Sequence, residues 1–303
     1  MDGERKRRTG VNPVLGATTE QRTCVPHLLS DITTEDIVKE PFLHFVRTKA
    51  VPTAVYEQLA VGFPSLETIV GRGAEVGSNV AVRMSSKEVL NDRRIPYLWR
   101  EFFAYYTSAA YWREVVRVFA RDFRREFPGL EDRVGRAYED WRVVPRGCDG
   151  EAEVRLDCQF VMNTPVVKPS SVKTPHVDLC DKIFSALLYF RDPADIAAGG
   201  DLDLYRWRRK PRFVKHRVLE RDVEHVQTVK YAANAYICFV NSESAVHGVS
   251  PRGVTSIPRR YINFIAELPV KAFKPKQLSK LHRLLFSAKE AASRGEDSYT
   301  EPQ

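Results

Sequence analysis

Apolar and polar positions in the second half of the chain repeat with the period of β-strands. Over residues 151–163, Val154, Leu156, Cys158 and Phe160 fall on one side, with Arg155, Asp157, Gln159 and Val161 on the other. Residues 182–190 form a continuous apolar run of strand length, and Gly199-Gly200 then turns the chain into an alternating strand ending near Tyr205. Two more strands are expected over 234–241 and 259–266. The loop over 164–175 carries Pro165, Pro169 and Pro175. An irregular connection of that length reads as a lid or a substrate wall.

The first half switches to a longer period. A strand is expected over 41–47, a helix over 52–62, a glycine-rich loop over 71–77 and a strand over 79–84. Ser85-Ser86 can cap a short helix. The strongest pattern predicts one long helix over 96–127. In it Leu98, Phe102, Tyr106, Ala109, Trp112, Val116, Phe119 and Phe123 recur at steps of three and four. Arg113, Arg117, Arg121, Arg124 and Arg125 take the other face. The stripe reads as core packing against a sheet. Near the end, 277–291 reads as a basic amphipathic helix.

Composition narrows the class. The chain has 303 residues, 43% of them hydrophobic, enough to bury a large core. No run approaches the roughly 18 apolar residues of a membrane span, and no secretory signal opens the chain. The five cysteines are odd in number and lack metal spacing. That suits reduced thiols and a cytoplasmic location. The net charge of +8 raises the question of nucleic acid, as does the basic, aromatic stretch over 206–217. Arginine is abundant throughout the chain with acidic residues interleaved, as at Glu220, Asp222 and Glu224, and no nucleic-acid motif is present. Nucleic acid is the weaker reading. A small or carrier-bound anionic substrate explains a basic rim equally well.

The candidate chemistry lies in His176-Val177-Asp178 and in His247, within the run Asn241-Ser-Glu-Ser-Ala-Val-His-Gly-Val-Ser-Pro-Arg252. Two imidazoles and a carboxylate on one face of a metal are the ligand set of non-haem Fe(II) oxygenases. Three protein ligands leave room on iron for a bidentate co-substrate and O2. In a strand His176 and Asp178 point to the same side, and His247 must then arrive from another strand. His27, His44, His216, His225 and His282 have no comparable partners and read as surface or core residues. Arg259 and Arg260 open the last strand, and their neighbours alone do not tell which faces inward.

These residues together resemble the 2-oxoglutarate/Fe(II)-dependent dioxygenase superfamily, and within it the prolyl-hydroxylase-like branch. The resemblance covers about residues 150–268: His-x-Asp, an apolar strand ending in Leu-Tyr, Gly-Gly-x-Leu, a distal His-Gly-Val, then an arginine opening the last strand. It implies an α+β protein built on a double-stranded β-helix, the jelly-roll or cupin-like barrel, buttressed by N-terminal helices. The implied organisation is a disordered basic tail over 1–30 and a single domain over 31–268. Within that domain 31–150 is helical support and 150–268 the barrel core, and 269–303 follow as a C-terminal helix and flexible end.

By the same resemblance His176, Asp178 and His247 match the iron ligands, and Arg259 matches the residue that grips the far carboxylate of 2-oxoglutarate. Arg259 fits the family spacing through Ile262, Asn263 and Phe264, with Arg260 its competitor. Tyr189 resembles a strand tyrosine that offers the same carboxylate a hydroxyl, or it packs in the core. Where relatives place a serine after the arginine, this chain has Tyr261. Gln159 and Asn163 point inward on the strand over 151–163. The implied activity is hydroxylation of a small molecule, such as an amino acid or natural-product intermediate, with Fe(II), 2-oxoglutarate and O2. Asp178 argues against halogenation, for which relatives replace the carboxylate; desaturation and ring closure stay open. The rival readings are a protein or nucleic-acid oxygenase, and a metal- or sugar-binding cupin-like barrel without redox turnover.

Overall fold

The computed structural model describes residues 25–279. Residues 1–24 of the expected tail and most of the helix expected over 277–291, with His282, lie outside these residues; within 25–30 the disordered tail does not hold, because Leu28 and Leu29 are buried in the core. Gln277 itself is extended, bridging Phe213.

Ten strands are present among the described residues: β1 (His44–Arg47), β2 (Ala81–Met84), β3 (Val143–Pro145), β4 (Val154–Asn163), β5 (Lys182–Tyr189), β6 (Leu202–Trp207), β7 (Val223–Val229), β8 (Tyr236–Val240), β9 (His247–Val249) and β10 (Arg259–Glu267). The helices fall between β1 and β3: α1 (Thr53–Val61), α2 (Leu66–Val70), α3 (Ser86–Asn91), α4 (Tyr97–Tyr106), α5 (Ala109–Glu126) and α6 (Leu130–Val134). Every strand expected in the second half forms. Sequence patterning did not anticipate β7, whose centre, from His225 to Gln227, is exposed.

The large sheet runs in the order β1-β8-β5-β10-β4-β2, with β3 added parallel to β4, and the small sheet runs β7-β6-β9. Alternation along β4 assigns its two faces as expected. Leu156, Cys158, Phe160 and Met162 join Phe184, Ala186, Ile262 and Phe264 in a cluster shared with α4 and α5. Phe160 meets Trp99 and Phe103 at 4.7 Å each, and Tyr106 meets Phe264 at 4.9 Å. Buried aromatics of this kind are each worth about 3–5 kcal/mol against truncation to alanine. The helices therefore fix the outer face of the sheet and leave its inner face for chemistry. On that inner side, Tyr189, Leu202, Leu204, Tyr231, Ile237 and Phe239 form a second cluster between the two sheets.

The long helix expected over 96–127 is two helices, broken at Thr107-Ser108. Thr107 Oγ1 donates to the Phe103 carbonyl at 2.8 Å and Ser108 Oγ to that of Tyr105 at 2.7 Å. These hydroxyls satisfy the last carbonyls of α4 in place of a further turn. Ser108 Oγ then accepts from the Tyr111 amide and caps α5. Ala109, which the periodicity placed in the stripe, is exposed at this break. Ser85 caps α3 as expected, in a reciprocal box with Glu88.

Candidate metal centre and anion pocket

Thr174 to Asp178 runs extended beside β9. The His176 amide donates to the His247 carbonyl at 2.9 Å, and the His247 amide returns a bond of 2.9 Å to the His176 carbonyl. Directly opposed residues of this kind carry their side chains close together, and the two rings lie 4.3 Å apart between centroids. Asp178, two residues on, projects to the same side. The ligand atoms of His176, Asp178 and His247 all lie within 4.8 Å of one another. Two metal–ligand bonds of about 2.1 Å span most of such a gap.

Each ligand is oriented from behind. His176 Nδ1 donates to the Thr174 carbonyl at 2.8 Å and His247 Nδ1 to that of Ala245 at 2.9 Å. This leaves both Nε2 lone pairs for the cluster's centre. Ser185 Oγ, from the inner face of β5, donates to Asp178 Oδ2 at 2.6 Å. Burial, together with the neighbouring Lys173, holds the His176 imidazole well below its ordinary range, and burial also lowers that of His247. Burial would raise the Asp178 carboxyl, but the positive charges of Lys182 and Lys173 nearby outweigh it and keep the carboxyl ionised. Neutral imidazoles beside an ionised carboxylate are the protonation states that a divalent cation takes. Ser185 was not singled out by sequence, because a serine inside an apolar strand reads as filler. Replacing it with alanine is expected to weaken Mn(II) binding about 10–100-fold. Equal Mn(II) affinity in a calorimetric titration of the two proteins would count against that role.

The pairing of β10 settles which arginine faces inward. Arg259 stands opposite Asn163 and Tyr261 opposite Tyr189, so Arg259 lies on the inner face and Arg260 on the outer. Arg260 turns to the Phe190 carbonyl and to Asp192 at 3.1 Å. Arg259 is 2% exposed. Its Nε donates to the Gly200 carbonyl at 2.7 Å and its Nη1 to Asn163 Oδ1 at 3.2 Å. The guanidinium lies 5.0 Å from the Tyr189 ring, 4.9 Å from Tyr231 and 4.6 Å from Tyr261. No carboxylate of the described residues pairs with it. Arg259 Nη2, Tyr189 Oη and Asn163 Nδ2 are all buried without a hydrogen-bond partner. Burial pushes the Tyr189 hydroxyl up to about 12, against the lowering effect of Arg259, so it remains a donor. Unmet buried donors around an unpaired cation are costly unless an acceptor anion joins them.

Gln159 also lies on the inner face. It donates to Asp157 Oδ2 at 2.7 Å, and Asp157 accepts from the Ser86 amide and hydroxyl. His44, His216, His225 and His27 stand outside the cluster, as their isolation in sequence implied. Most arginines of the basic stretch over 206–217 have acidic partners. Arg206 and Arg208 pair with Glu224, and Arg209 with Asp222 at 3.2 Å. Phe213 is fully buried. Three of its arginines are thus drawn onto two carboxylates, while Lys210, Arg212 and Lys215 stay exposed and Trp207 is half-buried.

No family model matches the chain, and no curated protein matches it in sequence. Among solved structures it is similar to prolyl 4-hydroxylase from Phytophthora capsici, with a TM-score of 0.48 and 14% identity over 84% of this chain and 69% of that one. It is similar to a Pseudomonas putida prolyl-4-hydroxylase at a TM-score of 0.42 and 15% identity over 74% of this chain and 92% of that one. A third similar structure is the epimerase SnoN in complex with Fe3+, alpha ketoglutarate and nogalamycin RO, at a TM-score of 0.41 and 14% identity, covering 74% of this chain and 78% of that one.

Proposed function

We propose that the chain is an Fe(II)/2-oxoglutarate-dependent dioxygenase that hydroxylates an unactivated C–H bond of a small molecule, an amino acid or natural-product intermediate. The observation that carries this reading is the pairing of two sites on one inner face. A His/Asp/His cluster stands at the middle of β5, beside Ser185, and an unpaired buried arginine with unmet donors stands at its end, by Tyr189. The four residues from Ser185 to Tyr189 rise about 13 Å along the strand, a span that a metal-bound dicarboxylate and the reaching side chains can fill. A barrel that merely binds metal has no use for the second site.

Strand order supports a double-stranded β-helix as the scaffold. From β4 onward the chain alternates between sheets: β4 in the large one, 174–178 beside β9, β5 in the large one, β6 and β7 in the small one, then β8, β9 and β10 in turn. Residues 31–268 form one catalytic domain in this reading. His176, Asp178 and His247 hold Fe(II) on one side, leaving the other for ligands. Arg259, Asn163 and Tyr189 grip the far carboxylate of 2-oxoglutarate, replacing the water it would otherwise keep. When bound, iron and 2-oxoglutarate together supply the oxidant made from O2, with succinate and CO2 as co-products. Leu187, Ile237 and Phe239 keep the space between the two anchors apolar and dry.

No helix among the described residues is long and apolar enough to cross a membrane. Aerobic incubation with Fe(II), ascorbate and 2-oxoglutarate tests the activity. Succinate is expected to form slowly alone and at least about tenfold faster with a substrate from an amino-acid and natural-product panel. Absence of succinate, with and without the panel, counts against the enzyme; stimulation by peptides alone would reassign the substrate.

A further inference from the structure

A second arginine, Arg252, is buried beside the anion pocket, at 2% exposure, and its partner Asp195 is fully buried. Arg252 Nη2 donates to Asp195 Oδ2 at 2.7 Å and to the Ile257 carbonyl at 2.9 Å. Its Nε and Nη1 have no partner. A buried ion pair left half satisfied is a poor stabilising device, since desolvation offsets much of its attraction. Its value has to be sought in what it positions.

That object is the Gly199-Gly200 turn. Both glycines have positive φ, 76° and 74°. A Cβ on Gly199 would lie 1.8 Å from the Pro251 carbonyl oxygen, and one on Gly200 would lie 3.2 Å from Arg252 Cδ and 3.4 Å from Arg259 Cδ. Both arginine stems thus crowd the space where a Gly200 side chain would begin. The segment before it is stapled down: the Gly253 amide donates to the Ala198 carbonyl at 2.9 Å and the Gly200 amide to that of Ser250 at 3.2 Å. Arg191 reinforces the same segment through the Asp195 and Ala197 carbonyls. The turn ends in the Gly200 carbonyl, which accepts from Arg259 Nε. That bond and the one to Asn163 set the rotation of the Arg259 plane and leave Nη2 uncommitted.

We infer that the buried Arg252–Asp195 pair is a positioning device that fixes the Gly200 carbonyl and, through it, the aim of Arg259 at the co-substrate carboxylate. The inference rests on the co-substrate reading above. Arg252 does not touch the co-substrate in this account; it acts through Arg259.

The test uses the full chain with Fe(II) under anaerobic conditions, titrated with 2-oxoglutarate and followed by the chelate's visible absorption, alongside Mn(II) affinity and thermal melting. Asp195→Asn and Arg252→Lys each keep the shape of the pair while breaking its charge or its fork. Each is expected to weaken 2-oxoglutarate binding about tenfold, within the range of couplings between residues in contact, and to leave Mn(II) affinity unchanged. In an Arg259→Ala background either change is expected to cost no further affinity. Unchanged 2-oxoglutarate affinity in both variants, losses that add fully to that of Arg259→Ala, or failure of both variants to fold would overturn the positioning role. Failure of the parent protein itself to bind 2-oxoglutarate would strike at the co-substrate reading instead.

Discussion

Replacing His176 with alanine is expected to abolish both the Fe(II)–2-oxoglutarate chelate and turnover, lowering activity by at least about a thousandfold. The other two ligands cannot compensate. Asp178 and His247 would hold a metal with two donors, and the backbone bonds from His176 to His247 would keep the strands too far apart for a substitute to reach in. The magnitude follows from comparison with outer residues, whose loss alone costs metal affinity about 10–100-fold. Folding should survive, because the His176 side chain contributes a single hydrogen bond, to Thr174. Metal titration and succinate formation, each read on protein with an unchanged melting temperature, check this result. Residual turnover above a few per cent would remove His176 from the ligand set.

Arg259→Ala is expected to raise the KM for 2-oxoglutarate by about 100-fold or more while leaving Mn(II) affinity intact. Removing one partner of a buried charged hydrogen bond costs about 2–5 kcal/mol, and every 1.4 kcal/mol is tenfold in affinity. The same substitution in Arg260, which faces Asp192 and the Phe190 carbonyl, is expected to change KM less than threefold. The contrast matters more than either value. Comparable losses in both variants would mean that the inner face of β10 has been misassigned, and no loss in Arg259→Ala would leave its buried, unpaired charge without a function.

The site was legible in sequence to the extent that its residues sit on strands with strong apolar patterns. His-x-Asp places two ligands on one side by the two-residue period alone. The arrival of His247 needed only a strand, β8, that is buried throughout. The choice between Arg259 and Arg260 was not legible from neighbours, because a shift of one residue in register exchanges the faces. The pairing of Arg259 with Asn163 resolves it. Two supports were invisible for other reasons. Ser185 resembles any small residue in a core strand, and Arg252 finds Asp195 from a loop distant in sequence. The expected single helix failed at Thr107-Ser108, where hydroxyl-to-backbone bonds compete with helix continuation, a contest that apolar periodicity does not register.

Among the rival readings, a non-redox barrel shares the metal cluster and differs at the co-substrate pocket. The most direct measurement is therefore anaerobic addition of Fe(II) to the apo-protein in the presence of 2-oxoglutarate, watching for the broad visible band of the iron–2-oxoglutarate chelate. The account predicts a band that saturates at one iron per chain, is missing in His176→Ala and is strongly weakened in Arg259→Ala at equal 2-oxoglutarate. Tight metal binding by the parent protein with no band at saturating 2-oxoglutarate would contradict the oxygenase reading and favour the non-redox barrel.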